Sequence, residues 1–324
     1  MPNLRAGMIG LGMMGRHHAR VVGSLEGVDL VAVADPAGDP HGVAMGREVL
    51  GSVEELIAKG IDYCVVAVPT IYHEEVGMAL AGAGVHALIE KPIAPDVASA
   101  TRLVEAFESN GLIGAVGHIE RYNPALQEAR RRIANGDLGR VFQIATRRQG
   151  AFPARIADVG VVKDLATHDI DLTAWVAQQP FTWVQARTAH RSGREHEDLV
   201  SAVGQLADGT VTNHLVNWLS PFKQRETIIT GERGAYICDT LTADITFHAN
   251  GSADTQAWED VANFRGVSEG DVTRFAIAKP EPLRVEHEAF RDAVLGKESD
   301  IVTLRQGLET VRVAELMISS AKIS

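Results

Sequence analysis

The stretch that decides the fold runs from Leu4 to Asp35 and reads LRAGMIGLGMMGRHHARVVGSLEGVDLVAVAD. An apolar run leads into Gly10-Leu11-Gly12-Met13-Met14-Gly15, where a helical pattern begins, and a second apolar run ends on Asp35. The order is strand, glycine turn, helix, strand and acid. This order predicts a turn that binds a dinucleotide.

The glycines and the acid stand where a dinucleotide needs them. Gly10 permits a tight turn, Gly12 lets a pyrophosphate approach the backbone, and Gly15 lets the helix pack closely on the strand. The start of the helix presents unpaired N–H groups and a positive dipole end to the phosphates. Asp35 can accept hydrogen bonds from the ribose diol. We predict cofactor contacts at Gly10, Gly12, Met13, Met14, Gly15 and Asp35.

Asp35 also bears on the choice of cofactor. Its carboxylate repels a 2′-phosphate, and the following Pro36 and Ala37 supply no arginine to receive one. The sequence therefore favours NAD over NADP. The alternative interpretation of the glycines is a structural turn in some other α/β protein.

Composition and charge limit the classes of function. The chain of 324 residues exceeds the usual size of one core, so two domains are expected. Its net charge of −11 argues against nucleic acid and anionic membranes as partners. Cys64 and Cys238 form neither a disulfide framework nor a metal-binding spacing. The sequence shows no signal-peptide pattern and no long apolar span, so the expected location is the cytoplasm.

The rhythm of the chain changes near His118. Up to that residue short apolar strands alternate with helices, as in a doubly wound parallel sheet. Beyond it long segments alternate apolar and polar residues, as antiparallel strands do. The predicted fold is α/β, with an N-terminal Rossmann domain over residues 1–118 and a C-terminal α+β domain over residues 119–324 built on a large open, mostly antiparallel sheet. Such a sheet must cover its second face, so we expect a homo-oligomer, either a dimer or a tetramer.

Polar residues follow two of the predicted parallel strands. One group is Pro69-Thr70 with His73 a turn later, and the other is Glu90-Lys91-Pro92. Ligands of open α/β sheets lie beyond the carboxyl ends of the strands, and the nicotinamide end of a dinucleotide must cross this edge. We predict a functional Lys91, with Glu90 as its structural neighbour, over the alternative of solvated surface charge. The predicted cofactor contacts at this edge are Pro69, Thr70, His73 and Glu90.

A second polar cluster lies in the C-terminal domain. Asp164 and His168 are four residues apart and Asp171 follows three later, so on a helix they share nearly one face. A carboxylate beside an imidazole raises its basicity and fixes its tautomer, as a general base for an alcohol requires. The alternative is a capping aspartate with a solvated histidine. Asp-x-x-x-His is also a metal spacing, but no third soft ligand is near, so no metal site is predicted.

Three motifs in this order and spacing carry a family resemblance. The glycine turn, Glu90-Lys91-Pro92 and Asp164-x-x-x-His168-Asp169-x-Asp171 resemble the glucose-fructose oxidoreductase/inositol dehydrogenase/rhizopine catabolism family over essentially the whole chain. The resemblance implies hydride transfer between a sugar or polyol carbon and a nicotinamide. It also implies that Lys91 and His168 are the catalytic lysine and histidine, and that Asp164 orients the substrate. The family often has glycine where this chain has Ala166.

Two further segments resemble one branch of that family. His118 to Pro124 (HIERYNP) and Arg155 to Val161 (RIADVGV) are similar to enzymes that oxidise the 3-hydroxyl of UDP-N-acetylglucosamine. A diphosphate needs cations, and arginines concentrate here in an otherwise acidic chain. The predicted substrate contacts are Arg121, Tyr122, Asn123, Arg155 and Asp171. Arg147 and Arg148 also belong to this cluster of positive charge. The alternative for these two residues is that they are solvated charges at the end of a strand.

These observations predict an NAD-dependent sugar dehydrogenase whose partner is a small sugar, most simply a UDP-sugar. One alternative is the same chemistry on a free sugar or inositol, which would not need the arginines. The other is a non-catalytic NAD-binding regulator. The presence of Lys91, Asp164 and His168 argues against the regulator, because a binding module needs none of the three.

Overall fold

The computed structural model describes residues 2–153, 159–251 and 269–321. Contacts within the chain divide it into two compact units. The first joins Met1–Ile119 to Pro280–Glu315, and the second joins Glu120–Lys279 to Leu316–Ser324. In the described ranges no helix has the length and apolar composition needed to cross a membrane.

The first unit is built on six parallel strands in the order β3-β2-β1-β4-β5-β6. This is the doubly wound Rossmann order, so the predicted fold of the N-terminal domain is confirmed. The strands are β1 (Leu4–Ile9), β2 (Val28–Ala34), β3 (Val49–Leu50), β4 (Tyr63–Val66), β5 (His86–Glu90) and β6 (Gly114–Gly117). The helices between them are α1 (Met13–Val22), α2 (Val53–Ile57), α3 (His73–Gly82) and α4 (Val97–Ser109).

Strand β4 shows why the central strands are apolar throughout. All four of its residues are buried. Tyr63 and Val65 belong to the apolar core on one face of the sheet, while Cys64 and Val66 belong to the core on the other. Because both faces are covered, the strand reads as a continuous apolar run rather than as an alternating one.

The structure assigns most of the C-terminal helical region to a different unit from the one that the sequence predicts. Its helices are α7 (Pro282–Val294) and α8 (Leu304–Ala321), and residues 280–315 lie in the first unit rather than in the second domain. Phe290 of α7 packs edge-on against Tyr63, with ring centroids 5.4 Å apart. Leu304 and Leu308 of α8 join the core on the opposite face. An amphipathic pattern shows that a helix needs a partner, but it does not say which sheet supplies it.

The second unit contains an eight-stranded sheet in the order β14-β13-β12-β11-β7-β10-β9-β8. Neighbouring strands are antiparallel except β7 and β10, which confirms the predicted, mostly antiparallel sheet. The strands are β7 (Val141–Ala151), β8 (Phe181–Ala189), β9 (Leu199–Leu206), β10 (Val211–Asn217), β11 (Leu219–Gly231), β12 (Gly234–Asp239), β13 (Asp244–Asn250) and β14 (Glu269–Arg274).

Helices α5 (Pro124–Ala134) and α6 (Thr167–Ala177) pack on one face of this sheet. Leu126 of α5 and Trp175 of α6 share a core with Ile144 of β7 and Tyr236 of β12. The strands alternate accordingly, and β9 buries every second residue. The opposite face of the sheet keeps its side chains outward, as the alternating sequence predicts.

Candidate active site

The glycine turn between β1 and α1 is tightly fitted. Gly10 has φ +95°, and a Cβ at this position would lie 2.5 Å from the main chain of Ala67. A Cβ on Gly15 would lie 2.0 Å from the carbonyl oxygen of Gly10. Gly12 differs, because a Cβ there would have no described atom within 4 Å. The turn therefore has two glycines that the backbone requires and one that leaves open space for a pyrophosphate.

This difference separates folding from cofactor binding. We expect Gly15→Ala to lower both the melting temperature and the affinity for NAD, because the turn must open to admit the methyl group. Gly12→Ala should keep the wild-type melting temperature yet weaken NAD binding at least about tenfold, or about 1.4 kcal/mol. Calorimetric titration and thermal denaturation measure both, with Gly82→Ala in open space on α3 as the control. Unchanged NAD affinity in Gly12→Ala would remove the pyrophosphate from this turn.

Asp35 lies beside the glycine turn, at the end of β2. Its Oδ2 accepts the N–H of Leu11 at 2.8 Å and its Oδ1 accepts the N–H of Ala37 at 2.9 Å. Each carboxylate oxygen can still accept a second hydrogen bond, as a ribose diol requires. The side chain of Arg47 donates to the carbonyls of Leu30 and Ala44. The geometry therefore suits a 2′-hydroxyl and fits the prediction of NAD.

His73 joins two loops at the edge of the sheet. Pro69 and Thr70 open the turn after β4, and His73 follows as the first residue of α3. The buried ring of His73 lies 2.9 Å from the carbonyl of Pro92 and 3.0 Å from that of Val68. Burial lowers its pKa despite these two carbonyls, so the neutral ring donates one hydrogen bond at a time. The structure gives His73 a bridging role, and its contact with the cofactor stays a prediction.

Lys91 follows β5 directly, at the same edge. Its backbone N–H donates to Oε2 of Glu90 at 3.0 Å, and Glu90 itself is buried. Burial acts to raise the pKa of Glu90, but the hydrogen bond from His18 and the charge of Lys91 outweigh it and lower that pKa. Glu90 is therefore an ionised carboxylate that accepts the backbone N–H of Lys91, and its contact with the cofactor stays a prediction.

Two histidines behind Glu90 were not assigned to the site from the sequence. Nε2 of His18 lies 2.9 Å from Oε1 of Glu90, and Nδ1 of His18 lies 2.8 Å from Nε2 of His287. Both rings are buried. Glu286, next to His287 on α7, is also buried, and neither of its oxygens has a hydrogen-bond partner among the described residues. Helical periodicity alone does not reveal that these residues meet.

We expect the stability of the protein to depend on pH through Glu286. Burial, followed by the charge of Glu90, raises the pKa of Glu286 well above 4.5. Above that pH the folded protein keeps a proton that the unfolded chain releases, so the free energy of unfolding falls as the pH rises towards the folded pKa. Relative to wild type, Glu286→Gln should gain up to about 1.4 kcal/mol per pH unit in this window. Urea denaturation over a pH series measures it, and parallel curves would contradict the expectation.

The second unit places Asp164 and His168 on one continuous helical segment. A π-helical turn, Val162–Ala166, holds Asp164 and leads directly into α6, where His168 lies in the first turn. Such wide turns often occur at functional sites. Asp164 is buried and His168 is partly exposed. The structure therefore keeps the two predicted side chains about one helical turn apart.

Arg121 and Asp171 form a buried ion pair. Nε of Arg121 donates to Oδ2 of Asp171 at 2.8 Å, and Nη2 donates to Oδ1 at 2.6 Å. Their side chains are 6% and 2% exposed. The two parallel hydrogen bonds match the planar guanidinium to the carboxylate, and they anchor α6 to the turn before α5. The substrate contacts of both residues stay predictions.

The other predicted substrate residues have different surroundings. Tyr122 is buried, and Asn123 caps α5 by accepting the N–H of Ala125 while donating to the carbonyl of Thr240. Arg155 lies outside the described residues. Sequence spacing did not show that the amide of Asn123 is occupied by backbone groups.

Arg148 is buried and paired rather than solvated. It donates to Asp169 at 2.9 Å and to Glu120 at 2.7 Å. Although burial acts to lower the pKa of Arg148, these two carboxylates raise it. Arg147, the next residue, is exposed on the open face. The alternative interpretation, that these two arginines are solvated charges, therefore fits Arg147 and does not fit Arg148.

Arg225 is a cation that the sequence analysis missed. It lies across from Arg148 on the neighbouring strand, and its guanidinium donates to the carbonyls of Gln149 and Gln224. Burial and the charge of Arg148 lower its pKa to about 10, so it stays charged at neutral pH. The charges of Asp169, Glu120 and Asp164 act in the opposite direction and raise the pKa of Arg225. The only sequence signal was an arginine in an alternating strand, and many such arginines are solvated.

Relatives named as dehydrogenases match more than half of this chain. A UDP-N-acetylglucosamine 3-dehydrogenase of Acidithiobacillus ferrooxidans is 31% identical over 216 residues, which are 66% of each chain. A scyllo-inositol 2-dehydrogenase (NAD(+)) of Bacillus subtilis is 32% identical over 191 residues, which are 56% of each. The aligned region thus spans somewhat less than two thirds of these curated relatives.

A solved structure extends the likeness to the whole fold. The UDP-N-acetylglucosamine 3-dehydrogenase GnnA of Acidithiobacillus ferrooxidans superimposes with a TM-score of 0.85 at 25% identity, over 99% of this chain and 98% of that one. The WlbA dehydrogenase of Bordetella pertussis, solved with NADH and UDP-GlcNAcA, has a TM-score of 0.82 at 22% identity, over 99% and 96% of the two chains. At that identity the second likeness concerns the fold alone.

Family models match both sides of the boundary near residue 118. Residues 4–118 match the oxidoreductase family with an NAD-binding Rossmann fold, and residues 126–237 match the GFO/IDH/MocA C-terminal domain. The first match confirms the prediction that the cofactor is NAD. Together the two matches cover more than half of the chain, and the protein belongs to the GFO/IDH/MocA family of oxidoreductases.

Proposed function

We propose that the protein is an NAD-dependent dehydrogenase that oxidises a hydroxyl group of a sugar. The observation that carries the proposal is the placement of Lys91 at the edge of the Rossmann sheet, where β5 ends and where Glu90 holds its backbone. The glycine turn and Asp35 lie at the same edge, because the carboxyl ends of parallel strands share one side of a sheet. Asp164 and His168 supply an acid and an imidazole from one helical segment of the second unit.

Each of these side chains has a role in the proposed reaction. His168 removes the proton of the reacting hydroxyl as a general base, and Lys91 hydrogen-bonds the same oxygen while negative charge develops on it. Asp164 holds the imidazole or a neighbouring hydroxyl of the sugar. NAD, when bound, accepts the hydride from the carbon. The protein thus supplies geometry and electrostatics for a proton and a hydride that leave together.

We further propose that the substrate is a UDP-N-acetylhexosamine and that its 3-hydroxyl is oxidised. The relatives that carry UDP-N-acetylglucosamine in their names support this choice. The cation that supports it within this chain is Arg225, because Arg121 and Arg148 are already neutralised by buried carboxylates. Among the described residues the guanidinium of Arg225 hydrogen-bonds backbone carbonyls, which leaves its charge available to a diphosphate.

The second candidate is a dehydrogenase of a free sugar or of inositol. The scyllo-inositol dehydrogenase among the relatives favours it, and it would keep the same Lys91 and His168. A neutral polyol gives Arg225 no partner. A non-catalytic NAD-binding regulator is the third candidate, and it leaves Lys91, Asp164 and His168 without a purpose.

A substrate panel combined with one arginine variant separates these candidates. NADH formation is measured with UDP-N-acetylglucosamine, UDP-glucose, glucose and myo-inositol, each with and without a keto acid. Arg225→Met should raise KM for the UDP-sugars at least about tenfold, the effect of losing a hydrogen bond to a charged group. Arg147→Met, on the open face of the same sheet, is the matched control. Turnover of free polyols alone would discard the UDP-sugar, and NAD binding without any turnover would favour the regulator.

We also propose that the open face of the eight-stranded sheet contacts a second copy of the chain. Strand register places Val203, Asn213, Ala145, Ile228 and Ile237 in one row across this face, and four of these five residues are apolar. Val203 is 42% exposed, and Trp183 on β8 is 50% exposed. Exposed apolar patches of this kind mark interfaces. Light scattering should give a dimer or tetramer that Val203→Arg dissociates, and a monomeric wild type would remove the proposal.

The two cysteines bear on the cellular location of the protein. We propose a cytoplasmic location, since Cys64 and Cys238 are both buried free thiols and the cytosol keeps thiols reduced.

A further inference from the structure

A buried chain of hydrogen-bonding side chains lies behind Lys91. His287 of α7, His18 of α1 and Glu90 of β5 follow one another at 2.8 and 2.9 Å. His18 is fully buried and His287 is 1% exposed. The chain reaches Lys91 through the hydrogen bond between Oε2 of Glu90 and the backbone N–H of Lys91. It joins the helix that follows the glycine turn to the strand end that carries Lys91.

The available hydrogen bonds determine which ring nitrogen is the donor at each step of this series of side chains. Burial lowers the pKa of His287 well below its ordinary value, so its ring is neutral and carries one hydrogen. Nδ1 of His287 is buried and has no partner among the described residues. A hydrogen there would be a buried donor without a hydrogen-bond acceptor, which is unfavourable. The hydrogen therefore lies on Nε2 of His287 and is donated to Nδ1 of His18.

His18 then donates from its Nε2 to Glu90. Its Nδ1 is already an acceptor, so its single remaining hydrogen is on Nε2, 2.9 Å from Oε1 of Glu90. Burial, followed by the charge of Glu90, raises the pKa of Glu286, which favours the neutral form of that carboxyl group. The cluster thus holds one buried carboxylate whose two oxygens are both engaged: one accepts from His18 and the other from the backbone of Lys91.

We propose that His18 and His287 are positioning residues that act through Glu90 to hold Lys91 in its reactive placement. His287 orients His18, His18 fixes the rotamer of Glu90, and Glu90 fixes the backbone at Lys91. A displacement of about 1 Å at a catalytic group can cost about a hundredfold in rate, so such support has a measurable effect. The inference rests on the proposed function, because it assigns the two histidines to the lysine of that reaction.

Two substitutions of His18 test the chain atom by atom. The amide nitrogen of glutamine can replace Nε2, so His18→Gln keeps a donor for Glu90. The shorter asparagine replaces Nδ1 and leaves Glu90 without that donor. We expect His18→Asn to lower kcat about tenfold or more and His18→Gln to stay within about threefold of wild type. The affinity for NAD, measured by calorimetry, should stay within about twofold in both. His86→Asn, at the other end of β5, is the control, since Nδ1 of His86 accepts from the N–H of Ile113 and the asparagine oxygen can take its place.

A double-mutant cycle tests whether His18 acts through Glu90. If it does, adding His18→Asn to Glu90→Gln should lower kcat little beyond Glu90→Gln alone. Independent, multiplying losses would overturn the proposal. Equal losses in His18→Asn and His18→Gln, or a fall in NAD affinity parallel to kcat, would also overturn it, because these mark a displaced helix α1.

The proposed function is tested separately in the same series. Undiminished turnover in Lys91→Ala would overturn both the role of Lys91 and the positioning role that rests on it. Nitrogen-15 spectra of the histidine rings then report on the hydrogen-bonded chain without any substrate. Hydrogens on Nε2 of both His18 and His287 support the derived chain, and a hydrogen on Nδ1 of His287 would overturn it.

Discussion

Replacement of Lys91 by alanine is expected to lower turnover at least about a hundredfold, and replacement of His168 by alanine should do the same. General acid–base groups contribute on this scale because they exchange or share a proton in the transition state. His168 takes the proton of the sugar hydroxyl, while Lys91 stabilises the oxygen on which charge develops. Steady-state NADH formation gives kcat and KM for each variant.

The controls distinguish chemistry from folding. Lys59→Ala, at a lysine of the first unit that pairs with Glu48 on the surface, should leave kcat unchanged. NAD affinity should survive in Lys91→Ala, because the glycine turn is intact. A variant of Lys91 or His168 with a nearly normal rate would remove that residue from the mechanism. A loss confined to KM would indicate binding rather than proton transfer.

The second large effect is expected on stability. Arg121→Met leaves the carboxylate of Asp171, 2% exposed, without its bidentate partner. Removing one member of a buried ion pair costs about 3–5 kcal/mol, because the remaining charge stays buried and uncompensated. We therefore expect a loss of that size in the free energy of unfolding, measured by urea denaturation.

An exposed ion pair provides the matched comparison. Arg305 and Glu108 are 61% and 52% exposed, so Arg305→Met should cost at most about 1 kcal/mol. The double variant Arg121→Met with Asp171→Leu should recover much of the loss, since it removes both charges. Similar losses in Arg121→Met and Arg305→Met would mean that the Arg121 pair is solvated in solution.

Much of the fold follows from two sequence periods. The uninterrupted apolar run of β4 indicates a strand covered on both faces, and the alternation of β9 indicates one that is covered on a single face. These local rules predict the two sheets and the change near residue 118. They do not predict that residues 280–315 return to the first unit, because that contact depends on which apolar surfaces remain uncovered after both sheets have formed.

The candidate site likewise contains residues that local sequence motifs reveal and residues that only the folded structure reveals. The motifs locate Lys91, Asp164 and His168, since their neighbours in sequence carry the signal. Contacts between distant residues carry no such signal, so His18 was not recognised as a partner of Glu90, nor His287 as a partner of His18. The same limit applies to Arg121, because its ion-pair partner Asp171 lies 50 residues away in the sequence.

Isotope transfer tests the central claim most directly. UDP-N-acetylglucosamine carrying deuterium at C3 is incubated with the protein and NAD, and the nicotinamide is analysed by NMR and mass spectrometry. Hydride transfer from that carbon predicts deuterium at C4 of the reduced nicotinamide and its absence from the oxidised sugar. Deuterium that remains in the sugar while NAD stays oxidised would contradict the assignment of this protein as a dehydrogenase of that substrate.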